Sequence, residues 1–241
     1  MDLKAFTVSD MVNDIRHNRK FSFARYGDGE WASILGMKGA NCDGHHYFPR
    51  MGWDLAHTVQ SPYPEPYRYG LVRIAKKVFN DQILKYCEKH EIGIEWYEGT
   101  GTVDASRDGE LFPLIKELRN HRIIYVGPEH LWELDQLLDL KFASFVTVQD
   151  INVYLSHIDV MTMILEDVEE YCPDIIGFSS GPPTKIMIHK LYRTIGQDIT
   201  MIDFGSLWDG FCGKPSRRYQ KTKYWEEVKE LNLGVIDGSQ T

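Results

Sequence analysis

The chain has 241 residues, of which 43% are apolar and 26% charged, with a net charge of −8. That size and composition suit one large domain over residues 1–241 with a sizeable core, and exclude a disordered chain. The acidic balance excludes nonspecific DNA binding through overall charge and leaves only a local basic strip for such a role. Cys42, Cys87, Cys172 and Cys212 lie far apart and form no CxxC or Cys/His pair at zinc spacing, so no structural zinc is expected. No apolar run follows a basic start, and none approaches the ~18 residues of a membrane span. The expectation is a cytoplasmic protein with reduced thiols and no membrane partner.

Taken in chain order, residues 8–18 read as a helix with Val8, Met11, Val12 and Ile15 on one face. Residues 21–25 alternate as a strand, a helix begins at 30–37, and 39–50 read as loop. A short helix is expected over 52–60, then a proline-punctuated turn over 61–66, then one long amphipathic helix over 69–90. A short strand over 93–97 and a helix over 108–119 follow. The rhythm then becomes regular, with strands over 122–126, 142–148, 174–178 and 199–204 separated by helices ending near 138, 171 and 194. Short apolar strands alternating with helices predict an α/β fold, a mostly parallel sheet with helices on both faces. Ligands in such folds bind beyond the carboxyl ends of the strands. The loops after Arg25, Val126, Val148, Phe178 and Phe204 are therefore the candidates for a site.

The first of these loops is the most informative. Arg25-Tyr26-Gly27-Asp28-Gly29-Glu30 ends a strand with a guanidinium and two hard oxygen ligands among glycines. Carboxylates at i and i+2 of a strand point the same way, and Mg²⁺ or Mn²⁺ takes one or two carboxylates and completes its shell with substrate phosphates. The competing reading is a Gly-Asp-Gly turn in which Glu30 caps the next helix. Asp108-Gly109-Glu110 repeats the tripeptide without the strand or the arginine and receives only a capping role. Ser179-Ser180-Gly181-Pro182-Pro183-Thr184-Lys185 opens a helix after a strand and suits a phosphate or a sugar, or is simply a turn with proline at the helix start. It lacks the spacing of a Walker A loop. Asp203 and Asp209 flank Gly205 and offer a general base, or turn chemistry alone. Lys214, Arg217, Arg218, Lys221 and Lys223 interleave with Tyr219, Tyr224 and Trp225, a strip that grips phosphates or is a solvated surface. Glu129, His130 and Asn152 are noted because they follow strand ends.

These elements in this order resemble a glycosyltransferase family with the GT-D fold, bacterial enzymes that add a hexose to a growing glycan from a nucleotide-sugar donor using a DXE metal motif. That family's early strand ends in an arginine-aromatic-Gly-Asp-Gly-Glu run similar to Arg25–Glu30. Its later Gly-Pro-Thr turn, its Asp-x-Gly strand end and an Asn-aromatic pair are similar to Gly181-Pro182-Pro183-Thr184, Asp203-Phe204-Gly205 and Asn152-Val153-Tyr154. The resemblance spans roughly residues 20–210. After Asp-x-Gly the family continues with histidine and several acids, whereas this chain has Ser206-Leu207-Trp208-Asp209. Uncharacterised phage-encoded members look similar, with hydroxymethylated bases of phage DNA as an acceptor.

The resemblance implies a Rossmann-like GT-D fold and a nucleoside-diphosphate sugar donor, a UDP-sugar by analogy. It implies Mn²⁺ or Mg²⁺ on Asp28 and Glu30, and nucleotide-sugar contacts from Arg25, Asp28, Glu30, Asn152, Gly181, Thr184 and Lys185. Arg25 and Lys185 would neutralise the diphosphate leaving group, and Asp203 or Asp209 would deprotonate the acceptor hydroxyl of a glycan or modified base. Two other classes fit the same carboxylates: a metal-dependent phosphohydrolase or nucleotidyltransferase, and a non-catalytic nucleotide-sugar or nucleic-acid binding module.

Overall fold

The computed structural model describes residues 2–72 and 77–235. Among the described residues seven strands form one sheet: β1 (Ser22–Tyr26), β2 (Tyr67–Leu71), β3 (Trp96–Glu98), β4 (Arg122–Pro128), β5 (Lys141–Val148), β6 (Ile175–Phe178) and β7 (Thr200–Asp203). Their order is β3-β2-β1-β7-β6-β4-β5 and every pairing is parallel. Among the described residues no helix is long and apolar enough to cross a membrane.

Parallel strands need crossovers, and here helices supply them and cover both faces. One face carries α2 (Asp28–Ile34), α3 (Pro49–Gln60), α4 (Lys77–Lys89), α8 (His157–Tyr171) and α9 (Pro183–Ile195). The other carries α1 (Val8–Arg16), α5 (Gly101–Asp108), α6 (Phe112–Leu118), α7 (Leu134–Leu138) and α10 (Trp225–Leu233). The strands divide their side chains accordingly. Ala24, Tyr26, Ile124 and Val126 join the first core, while Phe23, Ile123 and Tyr125 join the second. That is the two-residue period of a strand buried on both sides.

Three expectations need correction. Residues 69–90 are not one helix: Tyr67–Leu71 is a strand beside β1, and the following helix begins at Lys77, with 73–76 outside the described residues. Tyr67 and Tyr69 are buried at a spacing of two, and pairing with β1 outweighs the helical pattern their neighbours share. The helix expected over 108–119 starts late, at Phe112: Asp108 is the last residue of a separate helix, α5, which Gly109 at φ +79° ends, so Asp108 does not cap the start of a helix. The helix expected to begin at Glu30 begins at Asp28, which alters the geometry of the acidic motif.

Candidate active site

β1 and the start of α2 place the acidic motif. Gly27 is the N-cap of α2, and Asp28 and Glu30 stand in its first turn. Two residues along a helix turn by roughly 200°, so the two carboxylates diverge and do not point together as they would on a strand. Glu30 is buried and both of its oxygens are engaged. Oε2 accepts the Gly27 N–H at 2.9 Å, the capping arrangement, and Oε1 meets the Lys185 ammonium at 2.8 Å. Asp28 is exposed, with Oδ1 accepting the Gly29 N–H at 3.0 Å.

Lys185 comes from the first turn of α9 and reaches two carboxylates, Glu30 and, at 2.9 Å, Asp203 at the end of β7. Asp203 is 1% exposed and fully bonded, accepting the N–H groups of Arg25 at 3.2 Å and Gly205 at 3.0 Å. Burial works against the lysine's charge, but Asp203 and then Glu30 outweigh it and hold the ammonium above the ordinary lysine value. A buried charge set of this kind persists only when each member is paired and hydrogen-bonded. It ties the ends of β1, β7 and α9 into one frame.

Arg25 forms a wall of that frame. Its Nη1 donates to Thr102 Oγ1 at 3.1 Å, while Nε has no partner among the described residues. Gly205, at φ +56°, lies against the guanidinium: a Cβ there would sit 3.0 Å from Nη2. The cleft in front of Arg25 has a volume of about 680 Å³ and is lined by Arg25, Asp28, Glu30, Gly181, Lys185 and Asp209 among others.

Three other expected site residues are placed beneath or beside the cleft. Thr184 is fully buried and bonded to Ser180 Oγ at 2.7 Å. Asn152 braces residues 39–48 from the side: its Oδ1 accepts the His46 N–H at 2.9 Å and its own N–H donates to His45 Nδ1 at 3.1 Å. Asp203, already described, lies under Arg25 and Lys185. Gly181 keeps its place in the lining for a steric reason, since at φ +70° a Cβ would meet the His45 ring at 2.7 Å.

Other residues in the cleft stand out in the sequence, but their partners do not. Arg217 closes on Asp43 through two bonds of 2.6 and 2.8 Å, and Lys214 meets Asp150 at 2.8 Å. Burial raises and Arg217 more than offsets it, so the Asp43 carboxyl is held below its usual value. These pairs link segments more than sixty residues apart, which spacing along the chain does not reveal. His130, in the turn Glu129–Leu131 after β4, meets Asp209 at 3.2 Å.

A divalent cation fits this donor set only in part. Asp28 offers an exposed carboxylate at the cleft, enough for Mg²⁺ or Mn²⁺ when substrate phosphates supply the other oxygens. Glu30 offers no unengaged oxygen while Lys185 and Gly27 hold it. Among the described residues no group of three His, Cys, Asp or Glu side chains is arranged to hold a metal.

No family model matches the sequence, and no curated protein matches it. Solved structures do resemble the fold. A structure described as the highly conserved domain of unknown function 1792, with a distinct glycosyltransferase fold, aligns at TM-score 0.63 and 16% identity over 92% of this chain and 89% of its own. A selenomethionine-substituted structure of the same domain aligns at TM-score 0.64 and 15% identity over 92% and 89%. A protein from Streptococcus sanguinis described as a new glycosyltransferase of that domain aligns at 0.61 and 16% over 90% and 87%. The alignments take in at least 90% of this chain, so this protein has the distinct glycosyltransferase fold described for domain 1792.

Proposed function

We propose that the protein is a glycosyltransferase that moves a sugar from a nucleoside-diphosphate sugar to an acceptor hydroxyl. The observation that carries this reading is a cleft at the carboxyl ends of the strands where the Arg25 guanidinium and the exposed Asp28 carboxylate both line the walls, in a fold whose solved neighbours are described as glycosyltransferases. Departure of the diphosphate develops the charge that must be stabilised. Arg25 supplies fixed donors for it, preorganised by Thr102 and Asp203. Asp28, with Mg²⁺ or Mn²⁺ and the donor's phosphate oxygens, would add charge neutralisation to the leaving group. Lys185 has its ammonium committed to Glu30, Asp203 and, at 3.4 Å, the Gly181 carbonyl. It serves this site by fixing the frame that aims Arg25.

The donor is a UDP-sugar on this reading, and the acceptor is a sugar or glycan hydroxyl. The basic strip supports nucleic acid less well. Arg217 and Lys214 are turned into the cleft wall and neutralised by Asp43 and Asp150, leaving Arg218, Lys221 and Lys223 of its five cations. A panel of nucleotide sugars with Mn²⁺ or Mg²⁺ tests the function through release of nucleoside diphosphate, with water as the slow acceptor. Release of inorganic phosphate or transfer of a nucleotidyl group would replace this reading by phosphohydrolase or nucleotidyltransferase chemistry. Binding without turnover of any donor would leave a binding module.

A further inference from the structure

We propose that His130, held in one tautomer by Asp209, is the base that removes the proton from the acceptor hydroxyl; this rests on the glycosyl-transfer reading above. β4 ends at Pro128 on the rim of the cleft, and the single turn that follows presents His130 to it. Asp209, in the turns after β7, reaches across β6 to place Oδ1 3.2 Å from His130 Nε2. The other ring nitrogen, Nδ1, lies 3.5 Å from the Lys214 ammonium. An ammonium has only donors, and a carboxylate only acceptors. The two neighbours therefore define the ring: Nε2 carries its hydrogen toward Asp209, and Nδ1 presents its lone pair.

That lone pair is weakly held. Lys214 makes its short bond, 2.8 Å, to Asp150, and its distance to Nδ1 is at the limit of a hydrogen bond. An acceptor hydroxyl entering the cleft can take its place. The charged groups facing the imidazole are Asp209 and Lys214 from the segment after β7, and Asp150, beyond Lys214, from the segment after β5. After proton transfer the imidazolium keeps Asp209 on one side, and the lysine on the other is already neutralised by Asp150. A carboxylate that fixes the tautomer while the opposite nitrogen takes the proton is the division of labour of a catalytic triad.

The position also fits. β7 and β6 separate β1 from β4, three inter-strand steps or about 14 Å. Diphosphate at the Arg25 end leaves the sugar between the two sites and the acceptor beside His130. In the step itself the acceptor O–H bond breaks and its proton passes to Nδ1. The acceptor oxygen bonds to the anomeric carbon, and the bond from that carbon to phosphate oxygen breaks with its electron pair leaving on the nucleoside diphosphate. Asp203 cannot take this part, because it is 1% exposed and bound to Lys185.

The test uses the full chain, whichever UDP-sugar the wild type hydrolyses, and water as acceptor. His130→Gln and Asp209→Asn should each lower kcat by about 10²-fold or more, with affinity for UDP by calorimetry unchanged and thermal melting intact. Activity of His130→Gly should recover with added imidazole. Turnover of His130→Gln within about tenfold of wild type, or a fall matched by loss of UDP affinity, would overturn the assignment. Absence of nucleoside diphosphate release by the wild type from every nucleotide sugar of the panel would instead overturn the transfer reading on which it stands.

Discussion

At the residue scale the site separates groups that face the cleft from groups that hold them there. Arg25 and Asp28 face it. Arg25→Ala should weaken UDP binding and slow transfer, since charge-assisted hydrogen bonds to phosphate are the strong ones; unchanged nucleotide affinity by calorimetry would move the diphosphate elsewhere. Asp28→Asn keeps the shape and removes the charge, and should lower turnover by about 10²-fold, the scale of losing a group that stabilises transition-state charge. Lys185 belongs with the holding groups. Lys185→Met leaves Glu30 and Asp203 buried without their cation, and should cost about 3–5 kcal/mol of stability, the usual penalty for breaking a buried pair from one side. The denaturation midpoint reads that loss directly, and a variant as stable as wild type would show that water reaches the two carboxylates.

At the element scale the turns after the strands carry the geometry. Ser179 to Pro182 joins β6 to α9 with Gly181 in the left-handed region and the His45 ring pressed on its face. Gly181→Ala would add both left-handed strain, about 1–2 kcal/mol, and a clash with a ring fixed by Asn152. The expected outcome is a lower melting temperature together with a displaced 39–48 segment, read as faster amide exchange at Asn41 and His45. Gly52 plays a purely structural part in the neighbouring pair. It lets α3 cross α2, where a Cβ would lie 2.3 Å from the Ser33 carbonyl oxygen.

At the scale of the whole molecule, buried imidazoles tie stability to pH. Burial pushes His45, His157 and His189 below the ordinary imidazole value of 6.5. His45 Nδ1 accepts the Asn152 N–H, so a proton there breaks that bond. His157 Nε2 is buried without a partner among the described residues, so a proton there is left unpaired. As pH falls, the unfolded chain takes up protons first, near 6.5, and the folded chain only lower. Stability is therefore full above that value and declines as pH falls through the window below it. Melting temperatures measured from about pH 7.5 to 5 should decline, and His157→Phe should flatten the curve; a profile level to pH 5 would mean these rings protonate without cost. Charge at the same scale addresses the acceptor. If hydroxymethylated DNA were used, Arg218→Ala, Lys221→Ala and Lys223→Ala together would cut transfer to it steeply while sparing donor hydrolysis, with a log–log salt slope of about −0.9 per phosphate neutralised. The expected result is salt-insensitive transfer to a small sugar acceptor.

The regular half of the fold was written plainly in the sequence. Strands over 122–126, 142–148, 174–178 and 199–204 are short apolar runs bounded by glycine, proline and charge, and burial on both faces demands such runs. Arg25 and Asp28 were legible because a strand ending in that motif places them at the sheet's carboxyl edge. Other features depended on partners far along the chain. β2 is a strand because β1 lies beside it, and helical spacing in the same residues could not report that neighbour. Glu30 has the motif of a metal ligand, and only the fold brings Lys185, far along the chain, onto its oxygen. His130 stood alone in the sequence and acquired its partner only when β6 and β7 brought Asp209 beside it. Local pattern determines most of the strands and helices, β2 apart, because burial acts residue by residue. Which charges meet is decided by the order of strands in the sheet, and that order exists only in the folded chain.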